Sequence, residues 1–333
     1  LSTSSQESDN PAQPTTAQPT TVQPTTAQPT TAQPTKLATP ARAQTRKLGN
    51  KVKDACLAYL FLLPAIIIFG VFAYYPLYRL FWYATHTQSR FRNKPASYVG
   101  LEQLKTSLTS NDFISGLTHS GLYMLYTVPL GLLLGVMLAV STHRRLKGIK
   151  VFQTIFSSTV ASSVAVASVV FITLVNPEIG YFKNVPWLSL RDPNSALFAV
   201  SLSSVWQNLG LTFIVVLASL QTVPDELIEA ATLDGYGAIR RFWRITVPLI
   251  SPALLFLGIV LVVNALQAFA QIEILTGGGP GGATETLLFK IADPRGIRPL
   301  GVRASYSLGL FVLTAVVAGA QYSIMSKRVH YGD

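Results

Sequence analysis

Charge is scarce in this sequence. Asp, Glu, Lys and Arg make up 12% of its 333 residues, about half the share of an ordinary soluble domain, roughly 25%. The shortage falls in long apolar runs. Each run is close to bilayer length and separate from the next, which argues against one globular core. Cysteine is nearly missing: with Cys56 alone, no internal disulfide can form. The four histidines, His86, His119, His143 and His330, are scattered and lack metal-ligand spacing. No GxxxxGK[ST] run occurs, so if ATP is used another chain binds it. Asp and Glu are almost absent from the apolar runs, with Glu273 at an outer edge. That weighs against a secondary transporter driven by an ion gradient, which normally carries intramembrane carboxylates. The runs also hold no nucleophile–base pair or metal set, as a membrane enzyme would need.

What is abundant is apolar: 49% of the residues are hydrophobic. Six spans follow, at about 57–82, 117–142, 151–175, 196–220, 247–272 and 305–325. Each is long enough to cross a hydrocarbon core of about 30 Å, so the fold class is an all-α integral membrane protein in a lipid bilayer. The net charge of +11 would suggest nucleic acid in a soluble protein. Here Lys and Arg flank the spans, where the positive-inside rule places them, and no nucleic-acid partner is expected. Residues 1–50 differ from the rest. A QPTT repeat of five-residue period runs through 12–35 and offers nothing to bury, so a disordered, dispensable cytoplasmic tail is expected. It shows no basic region followed by an apolar core, so it is not expected to be a signal peptide. Arg42, Arg46, Lys47, Lys51 and Lys53 follow, next to the first span. Residues 51–333 form the transmembrane domain.

Topology follows from the short loops. Residues 143–150 carry Arg144, Arg145, Lys147 and Lys150 without an acid, which marks this loop as cytoplasmic. Alternation then puts both termini in the cytoplasm, together with loop 221–246, which holds Arg240, Arg241 and Arg244. Lys327 and Arg328 at the other end agree.

Loop 221–246 is the most informative stretch. Thr222 and Asp225 fit an [ST]-x-x-[DE] capping box, and Pro224 suits a first helical turn. A short helix over 225–231 follows, with Gly235 as a positive-φ stop and a second helix from about Ala238 leading into the fifth span. On helix physics alone an ordinary capped inter-helix loop is the preferred reading, because capping is common. The order Glu229-Ala230-Ala231, Asp234-Gly235, nine residues, then Ile245-Thr246-Val247-Pro248 resembles the EAA loop of permease subunits in ABC importers. Phe242 and Pro252 also fit. Val247 stands for the usual Leu, and Tyr236 where Ala often follows Asp-Gly. Tyr98-Val99-Gly100-Leu101-Glu102, Asn176-Pro177-Glu178-Ile179-Gly180, and Leu275-Thr276-Gly277-Gly278-Gly279-Pro280 with Thr284-Glu285-Thr286-Leu287 are similar to segments of the carbohydrate-type branch. The resemblance covers about 55–333. It implies the type I importer permease fold, a bacterial-type cytoplasmic membrane and no enzymatic activity in this chain. It also implies a cargo among maltose-like oligosaccharides, other sugars, and glycerol 3-phosphate or its diesters. The implied partners are a second permease subunit, an ATP-binding cassette ATPase dimer that holds ATP and magnesium, and an extracytoplasmic substrate-binding protein. Glu229, Ala230, Ala231, Asp234, Gly235, Ile245 and Pro248 would carry the coupling to the ATPase.

Polar residues inside spans are costly and raise a functional hypothesis. Asn264, Gln267 and Gln271 in span five fall at i, i+3 and i+7, which places three amides on one helix face. Ser204, Gln207 and Asn208 do the same in span four around Trp206. Amides both donate and accept, as sugar hydroxyls require; helix–helix hydrogen bonding is the alternative. The resemblance places the solute near these two regions. Ser157, Ser158, Thr159, Ser162 and Ser163 in span three suit close helix packing. No span centre carries Arg or Lys, which favours a neutral or zwitterionic solute. The glycine-rich loop 277–282 lacks a following Lys-Ser/Thr and reads as an outer docking loop.

Overall fold

A computed structural model describes residues 48–87, 97–143 and 148–327. The QPTT repeat, Arg42, Arg46, Lys47, Arg144, Arg145, Lys147 and Arg328 lie outside the described residues. The chain divides into two units, Leu1–Phe61 and Leu62–Asp333. Every site discussed below lies in the second.

The chain is helical throughout its spans. Helix α1 (Leu48–Phe69) passes through a wide turn at Gly70–Tyr74 into α2 (Tyr75–Thr85). In that turn the Tyr75 N–H reaches back to the Gly70 carbonyl, one residue before Pro76, whose missing N–H disturbs the ladder. Ile66, Ile67, Ile68, Phe69 and Phe72 on this span are all more than half exposed, as side chains facing lipid tails would be. Two antiparallel two-residue strands, β1 (His86–Thr87) and β2 (Ser97–Tyr98), precede α3 (Glu102–Leu108) and α4 (Asn111–Thr142). Ser110 caps α4, its Oγ accepting from the Phe113 N–H at 3.2 Å.

Span three is not one helix. α5 (Ile149–Ser157) tightens into a 3₁₀ turn at Ser158–Ala161, and α6 (Val164–Val175) leaves at a bend of 108°. Ser163 caps α6 by accepting from Val166 N–H. The serines read as packing residues therefore also stop and restart a helix, since their hydroxyls compete for backbone groups. α7 (Ala196–Gln221) is continuous and packs along α4, with Gly135 seated against Thr212.

α8 (Asp225–Leu233) and α9 (Ala238–Arg241) form the elbow, followed by a second wide turn at Phe242–Thr246, α10 (Val247–Leu249) and α11 (Ser251–Leu266). The chain bends by 73° between Leu249 and Ser251. Pro248 and Pro252 bracket that bend and remove the N–H groups that would have kept it straight. Span five therefore starts before 247 and breaks again after Leu266. α12 (Ala270–Leu275), α13 (Leu287–Ala292) and α14 (Leu300–Ser326) complete the order. Among the described residues, four helices are long and apolar enough to cross a membrane, and up to six spans result if each bent pair is one.

Candidate functional site

The described residues carry three polar features: an elbow at one end, a cavity, and a buried charge cluster at the opposite end of α4 from the elbow. The elbow is made locally. Asp225 and Glu226 sit in the first turn of α8, where carboxylates favour the helix dipole. The expected capping box does not form: Pro224 occupies the cap position without a side-chain bond. Thr222 instead ends α7, its hydroxyl donating to the Ser219 carbonyl. The other end meets expectation. Gly235 has φ +75°, its N–H donates to Thr232 O, and the Tyr236 N–H donates to Ala231 O at 2.9 Å. These two bonds are the paired Schellman closure, which needs a left-handed residue at that position. Arg241 then reaches back to the Thr232 hydroxyl at 2.5 Å, and its neighbour Arg240 stacks over the Tyr236 ring. Ala231 is buried beneath the turn, whereas Glu229, Ala230, Asp234 and Gly235 are exposed. Leu233 and Ile239 are 89% and 78% exposed, a large apolar outlay for a surface loop. Ile245 lies in the wide turn before Pro248. The end of α4 at His143, the start of α5 at Lys150 and the start of α8 share one pocket, so the elbow lies at the same end of the spans as these residues.

The cavity has a volume of about 490 Å³. Ser204, Gln207 and Asn208 line it from α7, as one face of a continuous helix should. Asn264, Gln267 and Gln271 line it too, but not from one helix face. Asn264 is on α11, Gln267 is the residue that ends it, and Gln271 is on α12. The break at 267–269 turns all three amides toward the same space. Thr286 stabilises that break: its Oγ1 donates to the Ala268 carbonyl at 3.1 Å, satisfying a backbone group the helix no longer serves. Trp206 is not among the lining residues; its ring packs near Phe171, 6.2 Å between centroids. Sequence reasoning missed Tyr123, Thr127 and Phe269, which also line the cavity. Tyr123 is fully buried and its hydroxyl lies 2.5 Å from Ser204 Oγ. In sequence it is one tyrosine in an apolar run, and only the packing of α4 on α7 reveals it. Among the described residues, no charged side chain lines the cavity.

The charge cluster joins α4 to the loop around α13. Asp112, on the first turn of α4, accepts from Lys290 Nζ at 2.7 Å, from Arg298 Nε at 2.7 Å and from the Tyr306 hydroxyl at 3.2 Å. Glu285 accepts from Arg298 at 3.2 Å and from Arg295. Lys290 is 4% exposed and is further held by Ser115 and the Asp112 carbonyl. The hydrogen bond to Asp112, opposed by burial, holds the Arg298 pKa above its ordinary value. Asp293 adopts φ +45° to end α13, a conformation that costs a non-glycine residue energy. Its carboxylate is fixed there by the Arg298 N–H at 2.7 Å. The sequence shows these residues only as mixed charges in an outer loop.

Residues 131–329 match the family described as binding-protein-dependent transport system inner membrane component. The sn-glycerol-3-phosphate transport system permease protein UgpA of Agrobacterium fabrum is 31% identical over 287 residues, covering 83% of this chain and 97% of that protein. Its namesake from Yersinia pestis is 31% identical over 283 residues, with 83% and 96% covered. Among solved structures, a bacterial ABC transporter involved in the import of the acidic polysaccharide alginate superposes with a TM-score of 0.67 at 24% identity, covering 84% and 98% of the two chains. That likeness shows the type I permease fold. This chain belongs to the family of binding-protein-dependent transport system inner membrane components.

Proposed function

We propose that the chain is one permease subunit of an ATP-driven importer that moves a sugar, an oligosaccharide, or glycerol 3-phosphate or its diesters into the cell by alternating access. The observation that carries this reading is the elbow: a short helix closed by a Schellman turn, exposed on nearly every side except Ala231. A span cannot hydrolyse ATP, so force must enter through a rigid knob gripped by a soluble partner. Leu233 and Ile239 offer that partner apolar surface. ATP and magnesium belong to the partner ATPase dimer. When that dimer closes, Glu229–Gly235 moves with it, and Ile245 and Pro248 pass the motion into α11. The cavity then turns from the inner to the outer side. A second permease subunit supplies the facing wall, and a substrate-binding protein delivers solute to the outer loops, as the family description implies. Both termini and the elbow lie in the cytoplasm, because the elbow shares its end with the basic 143–150 loop.

The amides and hydroxyls of Ser204, Gln207, Asn208, Asn264, Gln267 and Gln271 suit a hydroxylated solute. The relatives named for glycerol 3-phosphate favour that cargo, whereas the uncharged lining favours a sugar. A phosphate would draw its countercharge from the second permease. Uptake of labelled maltose, trehalose, glycerol 3-phosphate and glycerophosphocholine, in cells with and without this chain and with its partners present, decides between them. ATP-dependent uptake of at least one is expected to vanish without the chain. Dependence of none would sink the import reading.

A further inference from the structure

Gln207 sits where two features meet. From α7 it faces the cavity, and its Nε2 donates to the Ser162 carbonyl, at the break in span three, over 3.4 Å. Val160 and Val164, on either side of the break, line the same cavity. Ser162 and Ser163 are extended, at φ −77°, ψ 134° and φ −71°, ψ 155°, so the chain leaves the helical ladder between α5 and α6. Nearly one turn further along α7, Gly210 lies directly against the break. A Cβ there would fall 2.3 Å from Thr159 Oγ1 and 2.8 Å from the Val160 backbone N. The break thus rests on bare α7 backbone at Gly210 and is tethered by a side chain at Gln207. At 3.4 Å the tether is long for an N–H···O bond. An amide held by a long bond is readily turned by a nearer acceptor.

Taking the cavity as the solute site, as in the proposed function, we propose that Gln207 is a positioning residue that links cavity occupancy to the bend of span three. In the empty cavity its amide holds the Ser162 carbonyl and fixes the bend. A hydroxylated solute offers the amide a better partner, and the bend is released. Gln207 is then both a contact for the solute and the clip on the break, which Asn208, one position along the same cavity wall, is not.

The test uses the complete transporter in lipid nanodiscs, with Cys56 replaced by Ser. Spin labels at positions 155 and 169, exposed and on opposite sides of the break, give the distance across it by double electron–electron resonance. Gln207→Met conserves volume and removes the amide. It is expected to shift or broaden the solute-free distribution, and addition of maltose, trehalose or glycerol 3-phosphate should move it no further. Asn208→Leu should keep the parent's solute-free distribution while lowering uptake. A solute-free distribution of Gln207→Met that superimposes on the parent's overturns the proposal. So does a parent that imports one of these solutes without any change in distance. Uptake by the parent is read separately, so failure of the import reading is told apart from failure of the clip.

Discussion

Lys290 illustrates how much rests on single side chains. It is an ammonium at 4% exposure, and it is tolerable because Asp112, Ser115 and the Asp112 carbonyl all receive it. Losing the ammonium takes one partner from Asp112 and Ser115, but Asp112 keeps Arg298 and is partly exposed, so the cost falls below the roughly 3–5 kcal/mol of breaking a fully buried pair. Lys290→Met is therefore expected to lower the thermal midpoint of the purified protein in detergent. Lys290→Arg keeps the charge but crowds Gly116, whose Cα side already lies against the lysine stem, and should recover part of the loss. Equal midpoints for Lys290→Met and the parent would show that water reaches the cluster and that it contributes little. Asp112→Asn is expected to cost at least as much, because the ammonium it leaves behind is buried and its remaining carboxylate, Glu285, lies 4.0 Å away.

At the scale of elements, the elbow depends on one backbone conformation. Gly235 sits at φ +75° with open space around the position of a Cβ, so substitution there is resisted by the backbone angle and not by crowding. Gly235→Pro cannot take a positive φ and removes the N–H that donates to Thr232. It is expected to abolish ATP-driven uptake while the protein still inserts in the membrane at normal yield. Normal uptake by this variant would count heavily against the coupling role. This turn was legible in sequence because glycine after a short helix has few other uses. The six spans were legible for a similar reason: twenty apolar residues in a row have one stable setting. The breaks were not. A broken span keeps the same apolar composition, so 162–163 and 267–269 passed as continuous helix. The serines at the first break read equally well as packing residues. Nothing near Gln267 signals a stop, because the device that stabilises it, Thr286, lies in a distant part of the sequence. The three amides of span five meet at the cavity although the helix whose periodicity grouped them is interrupted. Trp206 lies near Phe171 and not among the cavity-lining residues, because an aromatic between polar neighbours on a helix points to another face.

For the whole molecule, orientation is the quantity that sequence and fold address together. Cys56 is the one native cysteine, so a Cys56→Ser background makes single-cysteine mapping direct. A cysteine at Leu233, on the elbow, is expected to react with a membrane-impermeant maleimide only after the cells are opened. One at Tyr181, exposed between the third and fourth spans, should react on intact cells. The reverse pattern would invert the topology and with it the direction of transport.

The length of α4 has a consequence for the molecule's surroundings. At 32 residues and 1.5 Å per residue, it is about 48 Å long, well beyond a hydrocarbon core of about 30 Å. Its first turn is pinned by Asp112 to the charge cluster, and its last meets the elbow's pocket at His143. The excess is taken up by tilt or by burial in the headgroup layers, and a membrane of different acyl length changes that share. Hydrophobic mismatch thus acts on both ends of the helix together, so under the proposed mechanism lipid thickness enters the energetics of transport.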